Sequence, residues 1–165
     1  MKKIQFNIAE KIVLMLKQND YNLCSAESCS GGGIAKALTD VPGCSKIFAG
    51  GVVAYSNTIK IRLLYVSEET LEMFGAVSEA TAIEMVNGAS NVFGADFCIA
   101  STGLAGPSGG TIKKPVGTVW LAVATPRNVI TLECRFTGNR ESIREQTITH
   151  GLKFLKEEIQ NYIDS

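Results

Sequence analysis

One histidine, His150, is all the imidazole the chain has. A structural zinc site needs about four clustered ligands, and the five cysteines, at positions 24, 29, 44, 98 and 134, include no Cys-x-x-Cys pair. The expectation is a protein without a metal site. An odd number of cysteines, three of them in apolar strand-like runs, reads as reduced and mostly buried thiols rather than a disulfide framework. Neither sign of charge is in excess, since 16 Lys and Arg face 16 Asp and Glu. That balance gives no reason to expect a nucleic-acid or anionic-membrane surface. No apolar run approaches the roughly 20 residues of a membrane-spanning helix, and the start, Met1-Lys2-Lys3-Ile4-Gln5-Phe6, has no signal-peptide core, so the expected setting is the cytoplasm. Internal repeats, low-complexity tracts and linkers are missing as well.

What is present is 165 residues that are 45% hydrophobic, enough for one domain over 1–165 with a substantial core. Asn7, with Glu10 three residues on as a capping-box partner, opens a helix whose apolar face is Ile8, Ile12, Met15 and Leu16. A strand over Asn22–Ala26 runs through Glu27-Ser28-Cys29-Ser30-Gly31-Gly32-Gly33 into a helix at Ile34–Leu38. A second strand fills Ile47–Ala54, followed by a helix capped by Ser56 or Asn57. Ser67 caps a short helix ending at Gly75, and Ser78 opens a longer one closed by Gly94. A third strand, Asp96–Thr102, leads into the glycine-rich Gly103–Gly110. Gly117–Ala124 and Val129–Phe136 form a hairpin, and Asn139 caps a final helix. Strands alternating with helices, then a hairpin and a helix, predict a three-layer α/β/α sandwich with a mostly parallel sheet and one antiparallel strand.

Parallel strands gather ligands at their carboxyl ends. Glu27–Gly31, Tyr55–Asn57 and Thr102–Gly106 all follow predicted strand ends, so one cleft would collect Glu27, Ser28, Cys29, Ser30, Gly31, Asn57, Thr102, Gly103, Ala105 and Gly106. The two glycine-rich turns read either as anion cradles built from backbone N–H groups or as tight turns that need glycine for their geometry. A second feature is the stretch Gly43–Lys60, which carries Ser45, Lys46, Tyr55 and Lys60 on a loop, a strand end and a first helical turn. The same three residue types serve short-chain dehydrogenases. There, however, tyrosine and lysine stand four apart on one helix, and no Gly-x-Gly-x-x-Gly follows the first strand here.

Ala26-Glu27-Ser28-Cys29-Ser30-Gly31-Gly32, Gly51-Val52-Val53-Ala54-Tyr55-Ser56-Asn57, Gly75-Ala76-Val77-Ser78, Gly103-Leu104-Ala105-Gly106-Pro107 and Lys114-Pro115-Val116-Gly117-Thr118-Val119-Trp120 stand in this order along the chain. They resemble the C-terminal domain of the competence/damage-inducible CinA proteins. The resemblance implies a nicotinamide-nucleotide amidase of pyridine nucleotide recycling. Such an enzyme hydrolyses the carboxamide of nicotinamide mononucleotide (NMN) to nicotinate mononucleotide and ammonia. It further implies an α/β/α fold with a five- or six-stranded sheet, and no metal or cofactor. A homo-oligomer without a nucleic-acid or membrane partner is expected, and 165 residues leave no room for the pyrophosphatase-type domain of longer CinA proteins. A non-catalytic nucleotide-binding or regulatory domain of the same type is the alternative.

Carried over by position, the family's catalytic residues fall on Ser45, Tyr55 and Lys60. Cys44 stands where the family usually has a second serine, and Ser108 where an aspartate is common. In this reading a neutral lysine activates the serine, its pKa brought from about 10.4 towards 7. Tyr55 relays the proton or holds the amine, and backbone amides of the Pro42–Lys46 loop hold the oxyanion. Arg140, after the Thr137-Gly138-Asn139 turn, is a side-chain candidate for the substrate phosphate.

Overall fold

The computed structural model describes residues 2–165. Six helices, α1 (Lys2–Gln18), α2 (Gly33–Thr39), α3 (Asn57–Leu64), α4 (Glu68–Phe74), α5 (Glu79–Phe93) and α6 (Arg140–Ile163), flank five strands. The strands are β1 (Leu23–Glu27), β2 (Phe48–Val53), β3 (Phe97–Gly103), β4 (Thr118–Ala124) and β5 (Val129–Arg135), in spatial order β2-β1-β3-β4-β5. β1 pairs in parallel with β2 and β3, and β4 runs antiparallel to both β3 and β5. The molecule is a three-layer α/β/α sandwich with a single antiparallel strand.

The sheet's two faces carry different sizes of side chain, because successive residues of a strand point to opposite sides. Leu23, Phe97, Ile99, Val119, Leu121 and Val123 pack with Ile12 and Leu16 of α1, Leu38 of α2 and Leu152 and Leu155 of α6. Cys24, Ala26, Cys98, Ala100, Ala122 and Ala124 face Ala82, Met85, Val86 and Ala89 of α5. Small residues on that second face let α5 lie close, and α3 lies close to α5 in turn. A Cβ added at Gly88 would stand 1.8 Å from the carbonyl oxygen of Leu64, the last residue of α3. Only glycine permits that approach.

Registers align the carboxyl ends of three strands: Glu27 pairs with both Val53 and Ser101. The main chain continues the ladder one step further, with Ser28 N donating to Ser101 O and Ala54 N to Glu27 O. Ser28, Tyr55 and the segment from Thr102 onward therefore leave the sheet side by side.

Helix starts follow their caps. Ser56, Ser67, Ser78 and Asn139 each accept the N–H three residues on. At α1 the structure corrects the sequence, since the helix begins at Lys2 and Asn7 is interior. Gln5 explains the extension: its Nε2 reaches Glu145 Oε2 and Thr149 Oγ1 on α6, so packing continues the helix past its local start signal. Cys44–Lys46 forms a short 3-10 turn rather than an extended loop.

Candidate active site

Lys60 lies one turn into α3, on the side facing the sheet, and is only 2% exposed. Its Nζ donates to Ala54 O at 2.8 Å and stands 3.2 Å from Ser28 Oγ. Among the described residues the ion pairs are Lys36–Asp40 and Arg135–Glu133, so no carboxylate accompanies this amine. Burial pulls its pKa below the ordinary lysine range, while the neighbouring Cys29 acts in the opposite direction. A buried lysine with no counter-ion is costly unless it sheds its proton, and the neutral amine has a lone pair available to the Ser28 hydroxyl. Cys29 is placed otherwise: burial first, then the charge of Glu27, push its thiol up to about 12, so it stays protonated near neutrality.

Tyr55 is 59% exposed. Its Oη accepts from Arg140 Nη2 at 2.5 Å, and Arg140 Nη1 donates to Gly106 O at 2.7 Å. Arg140 is the first residue of α6, so one guanidinium ties the end of β2 to the glycine-rich loop after β3. Gly106 has φ +76°, and a Cβ there would meet Val116 Cγ1 at 2.6 Å, so the turn demands glycine. Thr102 Oγ1 donates to Ala76 O, drawing the α4–α5 connection to the same place.

These groups line a cleft of about 300 Å³ at the carboxyl ends of the parallel strands. Of the residues expected there, Ser28, Cys29, Tyr55, Asn57 and Lys60 lie on its wall, together with Thr102, Gly103, Ala105, Gly106 and Arg140. Leu104, inside the expected Thr102–Gly106 segment, lines it too, and Ala76, Val77 and Ser108 join them, which the strand-end argument missed. Gly75-Ala76-Val77-Ser78 stands among the family-like motifs, and that was the available signal. Among the described residues the lining includes two cations and no carboxylate.

Four expected residues are elsewhere. Ser45 is in the 3-10 turn before β2, and Leu23 N donates to Ile47 O at the amino edge of the sheet. The six residues of β2 separate it from Tyr55, about 20 Å at 3.3 Å per residue. Within one chain Ser45 cannot be activated by Lys60, and the amides of Cys44 and Lys46 already donate to Val41 O and Gly43 O rather than to an oxyanion. Glu27 is fully buried; its carboxylate accepts from Ser30 Oγ, Ile34 N and Ala35 N at 2.7, 3.0 and 2.8 Å. The side chain thus fills the start of α2, and no substrate phosphate can sit there. Ser30 is buried between Glu27 and Ser101, and Gly31 faces a separate hollow beside Arg144. In the turn after β3 the amides of Ala105 and Gly106 find no acceptor among the described residues.

Residues 5–159 match the family profile described as the CinA C-terminal domain. The chain belongs to the CinA C-terminal domain family. It is 49% identical over 133 residues, 81% of its length, to a CinA-like protein of Fervidobacterium nodosum. A putative competence-damage inducible protein of Caldicellulosiruptor saccharolyticus is 45% identical over 155 residues, or 94% of the chain. The chain spans 33% and 38% of those two relatives. Solved CinA-type structures match it nearly end to end. Competence/damage inducible protein CihA from Agrobacterium tumefaciens aligns with TM-score 0.90 at 40% identity, over 92% of this chain and 93% of that one. A CinA superfamily protein from Klebsiella pneumoniae aligns with TM-score 0.91 at 35% identity, over 95% and 98%. These names state no reaction, so the chemistry of the CinA-type domain must be argued from its cleft.

Proposed function

We propose that this CinA-type domain is a nicotinamide-nucleotide amidase in which Ser28, not Ser45, attacks the carboxamide of NMN. One observation carries the reading: a lysine 2% exposed and without a carboxylate partner has its Nζ 3.2 Å from a serine hydroxyl at the edge of a cleft. A serine needs a base within hydrogen-bond reach to attack an amide. Neutral Lys60 takes the Ser28 proton as Oγ bonds to the carboxamide carbon. The protonated amine then returns that proton to the nitrogen as the C–N bond breaks, releasing ammonia and leaving a Ser28 ester. Water repeats the cycle: it loses a proton to Lys60, attacks the ester carbon, and the proton returns to Ser28 as nicotinate mononucleotide leaves.

Tyr55 accepts its hydrogen bond from Arg140, so its own O–H is available to the developing oxyanion. The substrate phosphate has Arg140 and the unused amides of Ala105 and Gly106 to meet it in a lining without carboxylates. The test is ammonia release from NMN, nicotinamide and NAD, with and without chelator. Turnover of NMN that survives chelation is the expected result. Binding of NMN without release would leave a nucleotide-binding module, and loss on chelation restored by zinc would overturn the lysine mechanism.

A further inference from the structure

Among the described residues Arg140 is the only fixed cation on the cleft wall if Lys60 works as a neutral base, and it holds two other parts of the site at once. A guanidinium has five N–H donors, of which Tyr55 Oη and Gly106 O take one each. Three remain for an anion. Tyr55 is 59% exposed, and this bond is the one contact its hydroxyl makes among the described residues. In the free protein the placement of the phenol thus depends on a side chain that is itself anchored only to the Gly106 carbonyl.

Resting on the amidase reading above, we propose that Arg140 couples phosphate recognition to the positioning of Tyr55: a phosphate bound at the free edge of the guanidinium fixes Arg140, and Arg140 fixes the Tyr55 hydroxyl over the scissile carboxamide. Binding energy gathered at the non-reacting phosphate is then expressed at the reacting carbon, so a substrate without phosphate loses kcat as well as affinity. The site tells a nucleotide from a nucleoside by how well its tyrosine is set, not by contact alone.

Supplying the phosphate as a separate piece tests this. Deamidation of nicotinamide riboside is measured with and without inorganic phosphite, in the wild type and in Arg140→Ala, Arg140→Lys and Tyr55→Phe, each checked for folding by thermal melting. Charge-assisted hydrogen bonds are worth about 1.5–3 kcal/mol, so phosphite should raise wild-type kcat for the nucleoside about tenfold or more. Activation should vanish in Arg140→Ala. It should also be absent in Arg140→Lys, which keeps the charge but has one nitrogen where the guanidinium uses two, Nη1 for Gly106 O and Nη2 for Tyr55 Oη, and in Tyr55→Phe. Phosphite activation that persists undiminished in Tyr55→Phe would show that Arg140 acts without the tyrosine and would overturn the coupling. So would wild-type turnover of NMN with no phosphite effect on the nucleoside. Absence of NMN turnover itself would instead sink the amidase reading.

Discussion

Ser28 and Ser45 are both small hydroxyl residues on loops next to parallel strands, yet they sit at opposite ends of the sheet. Ser28 follows β1 and meets a buried amine 3.2 Å away; Ser45 precedes β2 and is exposed in a 3-10 turn. Nine residues separate Ser45 from Tyr55 in the chain, but most of them are an extended strand that carries the chain away. Ser28 is 32 residues from Lys60, and the register of β1 against β2 brings them together. The contrast teaches that nearness in sequence across a strand is separation in space, whereas like positions on parallel strands are neighbours.

The sharpest way to break this comparison is to exchange which serine is lost. Ser28→Ala should lower NMN turnover by at least about a thousandfold while binding persists, and Ser45→Ala should change it less than about twofold. Lys60→Met should be as damaging as Ser28→Ala, and it carries a signature in stability. The folded pKa of Lys60 lies below that of the unfolded chain, about 10.4. Between those values the unfolded state binds more protons, so the wild type gains stability as pH rises through this window and carries the full penalty below it. Urea unfolding should therefore show the wild type losing ground to Lys60→Met as pH is lowered from about 10. The activity of the wild type should fall on the acid side as Lys60 takes up its proton.

A smaller effect is expected at Glu27, which shares the Ser28 turn but faces α2. Glu27→Ala leaves the amides of Ile34 and Ala35 and the Ser30 hydroxyl without their acceptor, which should cost about 2–3 kcal/mol of stability by denaturant unfolding. If the loss appeared instead as weaker NMN binding at unchanged stability, the carboxylate would belong to the cleft after all. Smallest of all is iodoacetamide, which should inactivate the wild type only slowly, because Cys29 is buried and its thiol is pushed up to about 12. Rapid inactivation mapped to Cys29 would give the thiol a role that its burial argues against.

Most of the fold was legible. Ser67, Ser78 and Asn139 announce their helices through ordinary capping chemistry, Ser56 and Asn57 compete for the start of α3, and the hairpin and the single antiparallel strand follow from chain order. α1 was misplaced at its start because Gln5 makes its bonds to α6, a partner about 140 residues away that no local pattern reveals. In the site, the cleft followed from the rule that ligands gather beyond the carboxyl ends of parallel strands. Applied to every residue, that rule already set Ser45 apart, since it precedes its strand and Ser28 follows one. The family resemblance, carried over by position, points instead to Ser45. Glu27 is misread for another reason: following a strand end, it reads as part of the ligand cleft, and only the packing of α2 shows that it supplies the anion for which the helix start looked ready.

The most direct measurement is to trap the acyl-enzyme. Wild-type protein mixed with NMN, quenched in acid on the millisecond scale and digested, should carry the added mass of a nicotinate-mononucleotide acyl group on Ser28, in the peptide containing Glu27-Ser28-Cys29. The same mass on Ser45 or on Cys44 would contradict the account.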